Sequence, residues 1–139
     1  NPAPTVDIII ELCDRPHRPI VLIERKLDPL GWAIPGGFID YGERAEDAAR
    51  REAEEETQLQ VTLKRLLQVY SDPTRDSRKH TLSLVYIAEA VGTPQADDDA
   101  QNLKVFDPWE IPTNLCFDHD KILRDYLNLR HHGIQPSLS

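Results

Sequence analysis

Apolar residues follow two rhythms along this chain, and the changes between them mark its elements. Val6 to Leu12 (VDIIIEL) is a short β-branched run, the pattern of a buried strand. Asp14 to Pro19 reads as a turn, with Pro16 and Pro19 as breakers. Ile20 to Glu24 (IVLIE) is a second strand, and the two are expected to pair as a hairpin. After a turn at Asp28-Pro29-Leu30-Gly31, Phe38 to Tyr41 is expected to return as a short strand. The rhythm then becomes helical. No Gly or Pro interrupts Glu43 to Leu59, and the stretch is rich in Ala, Glu and Arg, so a helix is predicted from about Arg44 to Gln58. Glu43, Glu46 and Asp47 sit at its start, where the helix dipole favours anions. Ala45, Ala48, Ala49 and Ala53 give it a narrow face of small residues, suited to close packing on a sheet.

Strands follow at Val61 to Ser71, with a bulge, at Thr81 to Ala90, long and central, and at Leu103 to Asp107, an edge. The polar segment Ser71 to His80 and the turn-rich Val91 to Asn102 separate them. Trp109, in the Pro108 to Pro112 turn, is expected to pack. A last helix starts at Asp118 as N-cap and carries an amphipathic stripe of Ile122, Leu123, Tyr126, Leu127 and Arg130. Gly133 ends it and a loose tail follows. His119, His131 and His132 have no ligand-like company and read as surface or structural residues.

Composition narrows the function classes. The 139 residues suit one domain with a real core, expected to span 1–139. Lys+Arg 16 against Asp+Glu 24 leaves a net charge of −8, which argues against nonspecific nucleic-acid or anionic-membrane binding. An anionic substrate would therefore need metal ions or a few local cations. Cys13 and Cys116 are too few and too far apart for a metal knuckle or a disulfide framework, so a reducing, cytoplasmic setting is expected. No long apolar run, signal peptide, internal repeat or low-complexity segment stands out. The chain begins at Asn1 and contains no Met, which points to a trimmed start.

The candidate chemistry lies in Gly36 to Leu59, GGFIDYGERAEDAARREAEEETQL. Glu52, Glu55 and Glu56 are spaced i, i+3, i+4 and share one edge of the predicted helix. Like charges so placed destabilise a helix unless cations neutralise them, and hard divalent cations prefer carboxylate oxygens. Alone, such an edge would be a solvated acidic face. Its context is specific, however. Gly37, five residues, Glu43, seven residues and then REAEEETQL resembles the Nudix hydrolase signature, with the first Gly, all four Glu and the Arg in register. Gln58 departs from it, standing where the signature ends its helix with Gly.

The resemblance carries further expectations. It implies an α/β/α sandwich with a mixed β-sheet. It implies Mg²⁺, or Mn²⁺ in its place, held by Glu52 and Glu56 with the Gly36 carbonyl, and Glu55 as a further ligand or as the base. Gly37, Glu43 and Arg51 would support the site, the last two as a buried ion pair aiming the metal-binding edge. Asp98 and Asp99 are candidates for an acid supplied by a distal loop. Pro73 lies fifteen residues past Gln58, a position that marks the ADP-ribose pyrophosphatase branch. The surrounding SDPTRDSRKH supplies Asp72, Arg75, Arg78 and His80 as substrate contacts, since guanidinium groups pair with phosphate and Asp accepts from ribose hydroxyls. Arg25 is a further phosphate contact. The implied reaction is metal-dependent hydrolysis of ADP-ribose, a nucleoside diphosphate sugar, to AMP and ribose 5-phosphate, by a protein that forms a homodimer. The alternatives are a Nudix hydrolase of another substrate (an oxidised nucleoside triphosphate, NADH or a dinucleoside polyphosphate), a noncatalytic Nudix-like ligand-binding module, and an acidic structural protein.

Overall fold

A computed structural model describes residues 1–97 and 102–138. Strands β1 (Ala3–Leu12), β2 (Ile20–Arg25), β3 (Gly31–Ala33) and β4 (Gly36–Phe38) precede helix α1 (Ala45–Thr57). Then come β5 (Thr62–Tyr70), β6 (Thr81–Ala90), β7 (Asn102–Phe106), a 3-10 turn (Pro108–Glu110) and helix α2 (His119–His132). The strands form one seven-stranded mixed sheet in the order β3-β2-β1-β6-β5, with β4 also on β1 and β7 also on β2.

The central pair is β1 with β6, parallel over ten residues from Ala3↔Thr81 to Leu12↔Ala90. The alternation of side chains along these strands builds two cores. Val6, Ile8, Ile10 and Leu12 pack with Ala48, Ala49 and Ala53 of α1. Ile9, Val85 and Ile87 pack with Ile122, Leu123 and Tyr126 of α2. This is the expected α/β/α sandwich. The three alanines are fully buried, so α1 lies close to the sheet and its acidic edge is carried towards β4.

Three local expectations change. The hairpin of β1 and β2 is limited to Glu11↔Ile20. Beyond that point the strands diverge, because β1 takes β4 as its neighbour at Thr5–Asp7 while β2 takes β3 and β7. The strand expected at Phe38 to Tyr41 comes earlier, at Gly36–Phe38. Asp40 and Glu43 instead close a turn, with the Glu43 N–H donating to the Asp40 carbonyl and the Asp40 N–H to Glu43 Oε1. Asp118 precedes α2 without a side-chain cap bond, because its carboxylate is taken by Arg75. Helix α1 is as predicted to within a residue at each end. Gln58 adopts the left-handed conformation (φ 59°) and donates its N–H to the Glu54 carbonyl, so the helix exits as it would through a glycine. The bulged β5 shifts register twice, between Leu63 and Arg65 and between Leu66 and Gln68. Among the described residues no helix is long and apolar enough to cross a membrane.

Candidate active site

The site is built around the corner Ile34-Pro35-Gly36-Gly37, where β3 gives way to β4. Gly36 lies opposite Asp7 and Gly37 opposite Val6 on β1. A side chain on Gly36 would run into the Val6 carbonyl and the Asp7 carboxylate, and one on Gly37 would take the place of the Glu52 carboxylate. Close approach therefore demands both glycines. The corner is fixed from behind, by the Ile8 N–H donating to the Pro35 carbonyl (2.8 Å) and the Ile34 N–H donating to His119 Nδ1 (3.0 Å).

Helix α1 brings three carboxylates to this corner in different surroundings. Glu55 is 56% exposed and lies 3.4 Å from Arg51 Nη1. Glu52 is 13% exposed and accepts from Arg51 Nη1 at 2.8 Å. Burial raises its pKa, and the bond from Arg51 offsets only part of that rise. Glu56 faces the Gly36 N–H, while its Oε2 is buried with no hydrogen-bond partner. Burial first, then the charges of Glu52 and Asp7, push Glu56 up to about 8. An orphaned buried carboxylate oxygen beside a second half-buried carboxylate fits a hard cation. Among the described residues no three His, Cys, Asp or Glu side chains converge into a ready-made metal cage.

Arg51 ties the ridge together. It donates to both oxygens of Glu43 (2.8 and 2.9 Å), to Glu52 and to the Phe38 carbonyl (3.1 Å). The bonds from Arg51 hold Glu43 down to about 2. The pair is partly exposed, where burial was expected.

Beneath the corner runs a buried polar network. Asp7 accepts from Ser83, lies 3.9 Å from Arg75 and faces His119 Nε2 at 3.7 Å. With Nδ1 accepting from Ile34, neutral His119 carries its proton on Nε2, towards Asp7. Burial holds His119 down at about 4 and raises Asp7 to about 6. Arg75 makes a two-pronged bond with Asp118 (2.8 and 3.0 Å) and donates to Thr81.

Two cavities open on this framework. The smaller, about 80 Å³, is lined by Glu56, Gly36, Gly37, Arg25, Arg78 and Phe117 among others. The larger, about 790 Å³, is lined by Asp72, Thr74, Asp120, Lys121 and the tail residues Ser137 and Leu138 among others. Arg75 and Phe117 are walls of both.

Residues 2–126 match the NUDIX domain family. The chain belongs to the Nudix hydrolases. It is 43% identical over 134 residues to the ADP-ribose pyrophosphatase of Methanocaldococcus jannaschii, covering 94% of this chain and 76% of that one. It is also similar to the crystal structure of a NUDIX hydrolase from Nitrosomonas europaea (27% identity, TM-score 0.81), covering all of this chain and 77% of that one. A MutT/nudix family protein from Enterococcus faecalis gives 25% identity and a TM-score of 0.78, over 94% of this chain but only 62% of that one.

The Nudix fold thus brings Gly36, Gly37, Glu52 and Glu56 to one corner, with Arg25 and Arg78 on its rim. It treats the other expected contacts differently. Arg75 is buried and spent on Asp118 and Thr81, because the loop that carries it folds back over α2. His80 lines neither cavity, and its ring meets the Ser71 carbonyl at 2.9 Å. Asp72 accepts from Thr74 on the wall of the larger cavity. Asp98 and Asp99 lie outside the described residues. Asp7 and Phe117 were not anticipated. Of the two roles expected for His119, surface or structural, the structural one holds, since it is buried and accepts from Ile34; it continues the α2 stripe backwards by one turn, 119-122-123-126, a spacing readable in the sequence. Asp7 is one of two acids, with Glu11, inside an apolar run, which also marks residues that need buried partners.

Proposed function

We propose that this Nudix hydrolase cleaves the diphosphate of ADP-ribose with Mg²⁺, giving AMP and ribose 5-phosphate. One observation carries the reaction type: the partnerless Glu56 Oε2 is buried near Glu52, and Glu56 lines a cavity rimmed by Arg25 and Arg78. The substrate rests on the name of the Methanocaldococcus jannaschii relative. The larger cavity across Phe117 and Arg75 offers room for a nucleoside or sugar at one end of a long substrate.

In this reading Glu52, Glu56 and the Gly36 carbonyl hold the ion. Bound there, Mg²⁺ would neutralise phosphate charge and make a water more acidic. Arg25 and Arg78 bind phosphate oxygens. Glu55, exposed beside the ridge, takes the proton of the attacking water. That water adds to one phosphorus, the bridging P–O bond breaks, and the two monophosphates leave.

The test is a panel of ADP-ribose, NADH, nucleoside triphosphates and dinucleoside polyphosphates with Mg²⁺, with products separated by chromatography. ADP-ribose is expected to give the highest kcat/KM, with AMP as product. Preference for a triphosphate rejects the substrate assignment. Wild-type turnover in Glu56→Gln rejects the role of that carboxylate.

A further inference from the structure

Phe117 stands out for its backbone and for its company. It precedes α2 at φ 55°, a conformation that a bulky residue adopts only when its surroundings impose it. They do so here from both sides. The Cys116 N–H donates to the Trp32 carbonyl (2.9 Å) and the His119 N–H to the Cys116 carbonyl (3.0 Å), while Asp118 is held by Arg75. The half-buried ring packs against the small cluster of Ile23, Ala33 and Cys116, outside the core beneath α2, and lines both cavities.

Two guanidinium groups from unrelated parts of the chain meet this ring. Arg25, at the end of β2, lies 5.0 Å from its centroid, and Arg78, in the loop before β6, lies 5.1 Å from it. Both distances are in the range of cation–π attraction. Each arginine is also anchored along one edge. Arg25 donates from Nε to the Pro29 carbonyl and from Nη2 to the Asp28 carbonyl. Arg78 donates from Nε and Nη2 to Asp76. Nη1 of each is not spent on these contacts. Two cations brought towards one cavity repel each other, and the negative face of a shared aromatic ring offsets that repulsion.

We propose that Phe117 is a positioning residue that presents the Arg25 and Arg78 guanidinium groups, as a pair, to the two phosphates of the substrate. The inference rests on the reading that the smaller cavity takes a diphosphate, and is independent of that substrate being ADP-ribose. Loss of the ring removes the face that holds the two groups together and leaves each guanidinium tied only along its anchored edge, so ground-state binding suffers while the carboxylate ridge keeps its place.

The test compares wild type with Phe117→Ala, Phe117→Leu, Phe117→Tyr, Arg78→Ala and the Phe117→Ala/Arg78→Ala double variant. The probe is ADP with Mg²⁺, titrated by calorimetry, alongside kcat and KM for the best substrate of the panel. Phe117→Ala and Phe117→Leu are expected to weaken ADP binding and raise KM by roughly tenfold, with kcat within about threefold. Phe117→Tyr is expected to stay near wild type. The double variant is expected to fall short of the product of the two single effects, because the ring acts partly through that arginine and partly through Arg25. Unchanged ADP affinity in both Phe117→Ala and Phe117→Leu overturns the proposal. So does a fall in kcat at constant KM, full multiplication of the two effects in the double variant, or a wild type that does not bind ADP. A wild type that binds ADP and prefers another diphosphate rejects the ADP-ribose assignment alone.

Discussion

Replacing His119 with Asn removes a titrating ring while leaving an acceptor for the Ile34 N–H, so it isolates the buried pair that His119 forms with Asp7. The ring is buried and held neutral. The unfolded chain takes a proton near 6.5, but the folded protein refuses it until about 4. Stability from this residue is therefore lost as pH falls through that window. Asp7 works in the opposite sense. Burial raises it to about 6 against 3.8 unfolded, so the folded state takes up its proton first and gains stability as pH falls between those values. Linkage gives about 2 kcal/mol for each group between about pH 7 and pH 4.5, with opposite signs. In the wild type the two nearly cancel. On going to the lower pH, His119→Asn should gain about 2 kcal/mol relative to wild type, and Asp7→Asn should lose about as much. Urea unfolding of the three proteins at both pH values, followed by circular dichroism, reads the difference directly, since carboxylates elsewhere are common to all three. Parallel pH dependence in all three proteins would refute the opposed titration.

Gln58→Gly should stabilise the protein by roughly 0.5–1 kcal/mol in the same assay, because it relieves a left-handed non-glycine residue. The Gln58 contact it removes is a long, exposed one to the Ala96 carbonyl, so a loss of stability would mean that contact matters more than the strain. Arg75→Met should cost about 3–5 kcal/mol by leaving Asp118 without its partner, and adding Asp118→Asn should recover part of that. No recovery would place the cost in lost packing. Mg²⁺ at roughly 100 times its Kd should add about 2.7 kcal/mol to wild-type stability in thermal melts, and much less to Glu56→Gln. That variant should also turn over roughly 10²-fold more slowly or worse, and equal Mg²⁺ stabilisation of both proteins would move the ion away from Glu56.

The parts of this structure legible in the sequence are those where one local pattern has one physical outcome. The alanine face and acidic edge of α1 follow from helical periodicity, and Gly133 ends α2 in the left-handed conformation that glycine favours. The β-branched run of β1 and the length of β6 marked buried strands, though not which side chains serve which core. Pairing was harder. A run such as Val6–Leu12 carries no label for its neighbour, and β1 turned out to be shared among β6, β4 and one residue of β2. The basic segment Ser71 to His80 misled for a related reason. Its residues share a charge but not a direction, so Arg75 turned inward to Asp118 while Arg78 stayed at the rim. Phe117 could not be anticipated, because its role depends on guanidinium groups brought from β2 and from the loop before β6.

The hidden network also bears on how well the ridge would hold a metal ion. The carboxyl groups at the corner are Glu52, Glu56 and, behind Gly36, Asp7, and the repulsion of Glu56 by the other two helps to raise it. The protein's own cations are committed before they can answer these groups in full. Arg51 is shared among Glu43, Glu52 and the Phe38 carbonyl, Arg75 is claimed by Asp118 and Thr81, and His119 is kept uncharged by burial. A protonated His119 would place a fixed cation beneath the corner and weaken the attraction for a mobile one. Holding the ring neutral lets it serve as an acceptor that orients Ile34 and the Gly36 corner, and on the proposed reading the remaining negative charge would be met by a divalent ion with Arg25 and Arg78.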